Sequence, residues 1–278
     1  MSAQVAGSRA GWAEPRRRSP RARAARLAEG TFVIGRAELQ KLRHDPLDLF
    51  TRAAQPLLWL FVFGTALRHT RSLTASGYDY RTYIAPGVMA QAALFIAIFF
   101  GLAIIWERDL GQLQRLLATP LPRSAIVLGK AAGAAVRAIA QALLLLAVVA
   151  VARIGFRWRL DEVLGALALL ALGTAAFACL SMLLASLLRT RERFMGLGQL
   201  IVMPLFFASS ALYPISIMPT WLRVIARVNP LTYEVHGLRE LLIGYSVGGA
   251  LWLDFTVVTA FFVAFLLVAA RAYPHTIL

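Results

Sequence analysis

Histidines and carboxylates are the side chains of this sequence that could carry acid–base or metal chemistry. The histidines are scattered, at His44, His69, His236 and His275. No H-E-x-x-H or comparable ligand spacing links them, so the sequence predicts no metal site. Glu234 and Glu240 lie six residues apart with His236 between them, the nearest approach to a paired-carboxylate active site. We expect these glutamates to be solvated on a helix surface, and we predict no catalytic residue.

A phosphate-binding loop would be the other sign of chemistry in this chain. Gly129-Lys130 is its single Gly-Lys pair. In a Walker A loop, Ser or Thr follows that pair and another glycine precedes it by five residues. Here Ala131 follows, and Ser124 stands where the first glycine should be. The chain is therefore predicted to hold no cofactor, and any ATP and Mg²⁺ that drive its activity would be bound by a partner polypeptide.

The composition indicates a membrane protein. Hydrophobic residues make up 59% of the 278 residues and charged residues 15%, and the mean hydropathy is +0.67. Soluble domains average about 45–50% and about 25% for the same two classes. The single cysteine, Cys179, excludes a disulfide framework and a cysteine-ligated metal centre. The net charge of +15 does not indicate nucleic-acid binding, because 11 of the 29 Lys and Arg residues precede the first apolar stretch.

Six apolar stretches have the length of membrane spans, so the sequence predicts an all-α integral membrane protein. The predicted spans cover about residues 48–67, 82–106, 125–152, 163–188, 194–213 and 251–270. They belong to a transmembrane domain of residues 53–278. A basic tail, residues 1–30, is expected to be disordered. Residues 31–52 are predicted to form an amphipathic helix on the membrane surface. That helix includes Glu38, Leu39, Leu42 and Arg43.

The distribution of Lys and Arg predicts the orientation of the spans. With the N-terminus inside the cell, the inner segments hold 20 of these residues and the outer segments hold 9. Cytoplasmic loops carry the excess of Lys and Arg in most membrane proteins. We therefore expect both termini in the cytoplasm and a multi-pass protein of the cell's inner (plasma) membrane.

The inner loop after the second span, residues 107–123, carries a helical pattern of its own. Its leucines recur at one face of a short helix, at Leu110, Leu113, Leu116 and Leu117. Glu107 and Asp109 would open this helix, because negative charge is favoured at a helix N-terminus. Pro120 would close it. The pattern is typical both of an ordinary interfacial loop and of a helix that docks a cytoplasmic partner.

The outer segment after the fifth span, Tyr213 to Gly249, is too long for a simple connection and too apolar for a solvated loop. It predicts two short helices, 221–228 and 234–243, joined by a turn at Asn229-Pro230. Such a pair fits a re-entrant hairpin that dips into the outer leaflet, and it also fits a peripheral helical loop.

Charged and aromatic residues within the spans are candidates for lining a pathway. Lys130 and Arg137 lie seven residues apart on one face of the third span. They either reach back to the cytoplasmic surface or line the inner mouth of a pathway and attract anionic head groups. Phe95 and Phe99 on the second span would contact an apolar substrate, or equally lipid.

At the two loop segments the sequence resembles the type-2 ATP-binding-cassette (ABC) export permeases. The resemblance is strongest to their drug-resistance, daunorubicin-type branch, with polysaccharide and lipo-oligosaccharide export permeases as near relatives. It rests on Glu107-Arg-Asp-Leu-Gly-Gln-Leu-Gln-Arg-Leu-Leu-Ala-Thr-Pro120 and on Leu222 to Asn229-Pro-Leu-Thr-Tyr233, set among six spans. The resemblance implies a permease that forms a homodimer and docks two copies of a cytoplasmic ABC ATPase.

The resemblance also assigns residues to roles. The ATPase-coupling helix would include Glu107, Arg108, Asp109, Gly111, Leu113, Arg115, Leu116 and Pro120. The surface helix before the first span, about residues 35–52, would embrace the ATPase. The re-entrant hairpin at the outer end would include Pro214, Pro219, Trp221, Asn229, Pro230, Tyr233 and Glu234.

The function expected from this resemblance is ATP-driven export of an amphiphilic drug, a lipid or a lipid-linked glycan. The runner-up is a self-sufficient secondary carrier or channel. Such a carrier would need acidic residues within the membrane for proton or sodium coupling, and predicted spans two to five contain none. A membrane enzyme would need clustered acid, base or metal ligands, which the sequence does not show. A fourth hypothesis, that the chain is a scaffold or assembly factor, is left open by the sequence.

Overall fold

The structure is a computed structural model that describes residues 28–33, 35–37, 40, 46–67, 78–111, 123–188, 190–246 and 249–272. Every regular element within these ranges is helical, and none of the described residues forms a strand. Residues 28–33 and 35–37, in and just before the predicted surface segment, are helical. The four residues assigned to that segment, Glu38, Leu39, Leu42 and Arg43, lie outside the described ranges.

Eight helices are numbered here in chain order. The first, α1, has an α-helical part Pro46–Leu58, a π-helical part Trp59–Phe63 and a last α-helical turn Gly64–Ala66. The others are α2 (Tyr80–Asp109), α3 (Arg123–Val151), α4 (Leu160–Leu187), α5 (Arg191–Phe207), α6 (Thr220–Val228), α7 (Pro230–Ile243) and α8 (Leu251–Ala272).

Four helices among the described residues are long and apolar enough to cross a membrane, namely α2, α3, α4 and α8. They coincide with the predicted spans at 82–106, 125–152, 163–188 and 251–270. The shortest of them, α8, has 22 residues, or about 33 Å at 1.5 Å per residue. That length exceeds the hydrocarbon thickness of a typical bilayer, about 30 Å. The chain is therefore a membrane protein.

The other two predicted spans fall on helices that do not meet the same criterion. The stretch 48–67 corresponds to α1, which is interrupted by its π-helical part. The stretch 194–213 corresponds to α5, which has 17 residues and ends at Phe207. Residues 208–213 continue as a turn and bends, in which the Ser209 N–H and hydroxyl both donate to Phe206 O.

Helix α4 lies at the centre of the bundle, with α2, α3, α7 and α8 packed around it. Its middle is built from small residues, all buried: Gly173, Thr174, Ala175, Ala176, Ala178 and Cys179. Small side chains allow neighbouring helix backbones to approach closely, which is the main source of attraction between helices in lipid. The central position of α4 therefore follows from its sequence.

One of these close approaches joins α2 to α4. Ser181 Oγ accepts a hydrogen bond from Gly101 N at 3.0 Å and donates one to Ile98 O at 2.8 Å. A Cβ atom at Gly101 would overlap Ser181 and the ring of Phe194. Gly101 is thus needed for the two helices to meet.

We expect Gly101→Ala to lower the free energy of unfolding by about 1–3 kcal/mol, the usual cost of overpacking a core. The matched control is Gly196→Ala on α5, where an added Cβ would have no atom within 4 Å. Both substitutions gain about 1 kcal/mol of helix propensity, so the difference between them reports the contact. Thermal melting of the two purified variants in detergent measures this difference. Equal melting temperatures for the two variants would contradict the close contact at Gly101.

Candidate functional site

The predicted turn between the two short helices is present, and its geometry explains why the chain turns there. Asn229 Oδ1 accepts a hydrogen bond from Leu231 N at 3.0 Å, which caps the start of α7. Pro230 occupies the first helical position, where its missing N–H costs nothing. Asn229 Nδ2 donates to Leu205 O at 2.6 Å, so the same side chain also ties the turn to α5.

The two helices of this hairpin have different surroundings. Helix α6 exposes Trp221, Val224 and Val228, and Ala226 is its one fully buried residue. Helix α7 is buried along most of its length and packs against α2, α4 and α8. The hairpin therefore inserts α7 into the bundle and leaves α6 at its periphery.

A buried arginine holds α7 in place. Arg239 is 2% exposed, and its guanidinium donates from Nε to Tyr83 O at 3.1 Å and from Nη2 to Ala211 O at 2.9 Å. It also lies over the Tyr83 ring, 3.8 Å from the centroid. The Ala211 backbone can come this close to α2 because Gly87 has no Cβ, which would overlap the Ala211 carbonyl.

Glu234 projects toward α4. It is 1% exposed and lies against Gly173, where a Cβ atom would overlap its carboxyl group. Burial raises the pKa of Glu234 well above its ordinary value. The expectation that this glutamate is solvated on a helix surface is wrong, because the glycine that accommodates it lies on another helix.

A histidine–aspartate pair joins α7 to α8. His236 Nδ1 and Asp254 Oδ2 are 2.7 Å apart, and this hydrogen bond raises the pKa of His236. Glu240 is close by, so that one potential ligand atom from each of these three residues lies within 4.8 Å of the others. One imidazole nitrogen and two carboxylate oxygens could hold a divalent cation. The fold assembles this trio from two helices, which ligand spacing in the sequence does not reveal.

At the other end of the bundle, the last turn of α2 is held by ion pairs. Lys130 is 4% exposed and its Nζ lies 2.6 Å from Glu107 Oε1. Arg191 Nη2 lies 2.8 Å from Asp109 Oδ2, and the Arg191 guanidinium lies over the Trp106 ring. These contacts connect α2 to α3 and to α5.

This arrangement corrects one sequence-based expectation. Glu107, Arg108 and Asp109 end α2 rather than opening a new helix, since the helix continues beyond its apolar stretch. Gly111 follows with φ of +69°, which terminates the turn. Lys130 forms a buried ion pair with Glu107, and its place at the inner mouth of a pathway stays a prediction.

The aromatic candidates Phe95 and Phe99 lie on the outside of α2. Phe99 is 45% exposed, and the Arg52 guanidinium lies 5.0 Å from the centre of its ring. Two small cavities, of about 80 and 100 Å³, are lined by both phenylalanines. Arg137 lies over the Phe100 ring at 5.3 Å. The structure thus brings Phe95 and Phe99 together, while Lys130 and Arg137 have separate surroundings.

Comparison with known proteins decides the family. The sequence profile described as "ABC-2 type transporter" matches residues 29–243, more than three quarters of the chain. This chain is a member of the ABC-2 type transporter family. The resemblance noted in the sequence is thereby confirmed at the level of the family, and the drug-resistance branch stays a prediction.

Similar proteins are themselves described as transport permeases or by a phenotype. The "Putative transport permease ycf38" of Cyanophora paradoxa is 32% identical over 215 residues, which cover 76% of this chain and 73% of the relative. The protein of the same description from Pyropia yezoensis is 29% identical over 218 residues, 77% and 74% of the two chains. "Nodulation protein J" of Rhizobium leguminosarum bv. trifolii is 31% identical over 202 residues, 72% and 76% of the two chains.

In this ABC-2 permease, the assigned residues fall into three groups. The hairpin residues Pro214, Pro219, Trp221, Asn229, Pro230, Tyr233 and Glu234 are all described and lie on or beside α6 and α7. Glu107, Arg108, Asp109 and Gly111 of the predicted coupling helix lie at the end of α2. The remainder, Leu113, Arg115, Leu116 and Pro120, lie outside the described residues.

Sequence reasoning missed the polar interior of the ABC-2 permease. The sequence pattern singles out none of Arg239, Tyr83 and Asp254. The available signal was the helical spacing of Arg239 from Val235, Leu242 and Ile243, which are all apolar. An arginine in such surroundings is buried only where the fold supplies acceptors.

The stability of the ABC-2 permease should fall as pH rises above about 4.3, because burial raises the folded-state pKa of Glu234. Its folded-state pKa is raised, so above about pH 4.3 the unfolded chain loses this proton while the folded protein keeps it. We expect Glu234→Gln to match the parent protein in melting temperature near pH 4 and to exceed it progressively as the pH is raised. Glu192→Gln, at an exposed position on α5, is the control and should give a constant offset. A constant offset for Glu234→Gln as well would show that the carboxyl ionises freely.

Proposed function

We propose that this chain is the membrane-spanning permease subunit of an ATP-driven exporter, which works with a separate ATPase. The observation that carries the proposal is membership of the ABC-2 transporter family across residues 29–243. The sequence offers no phosphate-binding loop at its one Gly-Lys pair, so energy from ATP would have to come from a partner. Two permease copies and two ATPases would form the complete transporter.

Six crossings are proposed, with α1 and α5 added to the four long apolar helices. From Pro46 to Ala66, α1 has 21 residues, or about 31 Å, and α5 has 17, or about 26 Å. Both lengths are close to the hydrocarbon thickness of about 30 Å. Both helices also expose apolar side chains that suit lipid or a second permease copy. These are Phe61, Val62 and Phe63 on α1 and Met195, Leu200 and Met203 on α5.

The segment 107–120 is proposed to couple the ATPase to the permease. It begins where ion pairs tie the end of α2 to Lys130 on α3 and Arg191 on α5. A displacement of the docked segment would therefore act on three helices together. Differential affinity of the ATP-bound and ATP-free partner for two permease conformations would drive the change.

The transported substrate is proposed to be an amphiphilic drug, a lipid or a lipid-linked glycan. Apolar helix surfaces with arginines near aromatic rings, such as Arg52 at Phe99 and Arg137 at Phe100, suit a molecule with an apolar body and a polar head. The α6–α7 hairpin is proposed to bound the outer end of the pathway as a re-entrant element.

A second candidate function is a carrier that is driven by ions without an ATPase. It gains support from the buried carboxyl groups of Glu234 and Asp254, since intramembrane acids serve proton or sodium coupling. The two candidates differ in whether the permease needs a partner.

The first experiment isolates the tagged chain from its native membrane in mild detergent and identifies stoichiometric partners by mass spectrometry. We expect a cassette ATPase, and we expect Leu113→Glu with Leu116→Glu to abolish its capture. The control is Val224→Glu with Val228→Glu, at exposed positions on α6, which should leave capture unchanged. A chain that comes alone and moves solute in liposomes without ATP would favour the carrier.

The second experiment tests the six crossings with single cysteines, placed in a Cys179→Ala background and labelled in intact cells with an impermeant thiol reagent. With six crossings, cysteines at Arg115 and Arg227 label from opposite sides, and so do cysteines at Ala28 and Arg157. With only the four long helices crossing, each of these pairs labels from the same side. If both termini lie in the cytoplasm, the cysteines at Arg227 and Arg157 label from outside the cell.

A further inference from the structure

A cavity of about 220 Å³ lies at the hairpin end of the bundle. It is bounded by α2, α6, α7, α8 and the residues between α5 and α6. The polar side chains in its wall include Tyr83, Ser210, Thr232, His236, Arg239 and Asp254. Nothing in the proposed coupling mechanism uses this cavity.

Two hydroxyl groups in the cavity wall have no partner. Ser210 and Thr232 are each 5% exposed, and neither Ser210 Oγ nor Thr232 Oγ1 makes a hydrogen bond within the described residues. A buried hydroxyl without a partner costs free energy, so native proteins keep few of them. Both oxygens belong to residues that line the cavity, which therefore offers two unused donors to an occupant.

Among the residues that line the cavity, arginines outnumber carboxylates. Arg239 uses Nε and Nη2 on backbone carbonyls, its Nη1 makes no hydrogen bond within the described residues, and no carboxylate there pairs with it. Asp254 is paired with His236, so their charges offset each other when His236 is protonated. Arg227 also lines the cavity. Two arginines thus face one carboxylate, Asp254, among the residues that line the cavity, and Glu240 lies outside this lining, close to the His236–Asp254 pair.

The remaining wall is mainly apolar and aromatic, with Tyr233, Tyr245 and Leu253 among its residues. The volume of the cavity is below the roughly 300–1,000 Å³ of sites for drug-sized ligands. We infer that this cavity binds a small organic anion, in which a phosphate or carboxylate meets Arg239, Ser210 and Thr232 and an apolar ring or chain meets the tyrosines. The site goes beyond the proposed function and does not depend on the ATPase.

The test uses the purified full-length permease in phosphatidylcholine nanodiscs, without an ATPase. Phenyl phosphate is the probe, and its binding is measured by isothermal titration calorimetry. Benzyl alcohol, which has the apolar ring without the anion, should show no saturable binding. Inorganic phosphate, which has the anion without the ring, should bind more weakly than phenyl phosphate. Absence of phenyl phosphate binding, or equal binding of benzyl alcohol, would overturn the inference.

The decisive variant is Ser210→Ala with Thr232→Val. It removes two hydroxyls that have no partner among the described residues, so the melting temperature of the ligand-free protein should stay the same or rise. Affinity for phenyl phosphate should fall about tenfold or more, since hydrogen bonds to a charged group are lost. Replacement of Arg239 is avoided because it would also release α7.

The control variant is Ser186→Ala with Thr259→Val, the same chemical change at hydroxyls outside the cavity. Ser186 Oγ donates to Leu183 O and Thr259 Oγ1 to Phe255 O. This variant should leave affinity for phenyl phosphate unchanged. Unchanged affinity in the cavity variant, or an equal loss in the control, would refute the site.

A last comparison separates a free organic anion from an anionic lipid head group as the occupant. The titration is repeated in nanodiscs that contain phosphatidic acid. A weaker apparent affinity for phenyl phosphate there would identify the lipid head group as a competitor for the same site. An unchanged affinity would identify a free organic anion. Loss of the ATPase in the capture experiment would affect neither result, so the two proposals fail separately.

Discussion

The placement of α7 depends on the guanidinium of Arg239. In the interior of a protein, a buried cation is stable only where the protein replaces the hydrogen bonds of water. Arg239 obtains acceptors from Tyr83 on α2 and from Ala211 in the non-helical stretch after α5. The Ala211 carbonyl is available because that stretch is not helical, and it reaches Arg239 because Gly87 admits its backbone. One side chain thus joins three separate parts of the chain.

Small residues on α4 are the other requirement. Apolar burial contributes little to helix association in lipid, so helices there associate through close packing and a few internal hydrogen bonds. Gly173 accommodates the Glu234 carboxyl from α7, and Ser181 reaches the α2 backbone at Gly101. Helix α4 therefore accommodates the Glu234 carboxyl of α7 on one side and presents the Ser181 hydroxyl to α2 on another. These polar groups position the helices that surround α4.

The sequence was sufficient wherever structure depends on local rules. Runs of apolar residues located α2, α3, α4 and α8, and the Asn229-Pro230 pair located the start of α7. It was insufficient wherever the partner is distant in the chain. Arg239 bonds Tyr83, which is 156 residues away, and His236 meets Asp254 across 18 residues. No periodicity within one helix reports such contacts, so the buried state of Glu234 could not be read from α7 alone.

The end of α2 illustrates the same limit on a smaller scale. The apolar stretch stops at Trp106, but the helix continues through Asp109, because Glu107 and Asp109 find cationic partners on α3 and α5. Glu107 and Asp109, which the sequence pattern places at the start of a new helix, instead hold the last turn of α2 against α3 and α5.

The π-helical turn Trp59–Phe63 in α1 alters which side of that helix faces the bundle. A π-helical turn holds more residues than an α-helical turn, and one extra residue corresponds to about 100° of rotation in an α-helix. The faces of Pro46–Leu58 and Gly64–Ala66 are therefore out of phase. An apolar face that is assigned by uninterrupted α-helical periodicity over residues 46–66 would therefore point in two different directions, one before and one after the π-helical turn. A return of the π-helical turn to α-helical geometry would rotate Pro46–Leu58 relative to Gly64–Ala66 by about 100° without breaking the helix.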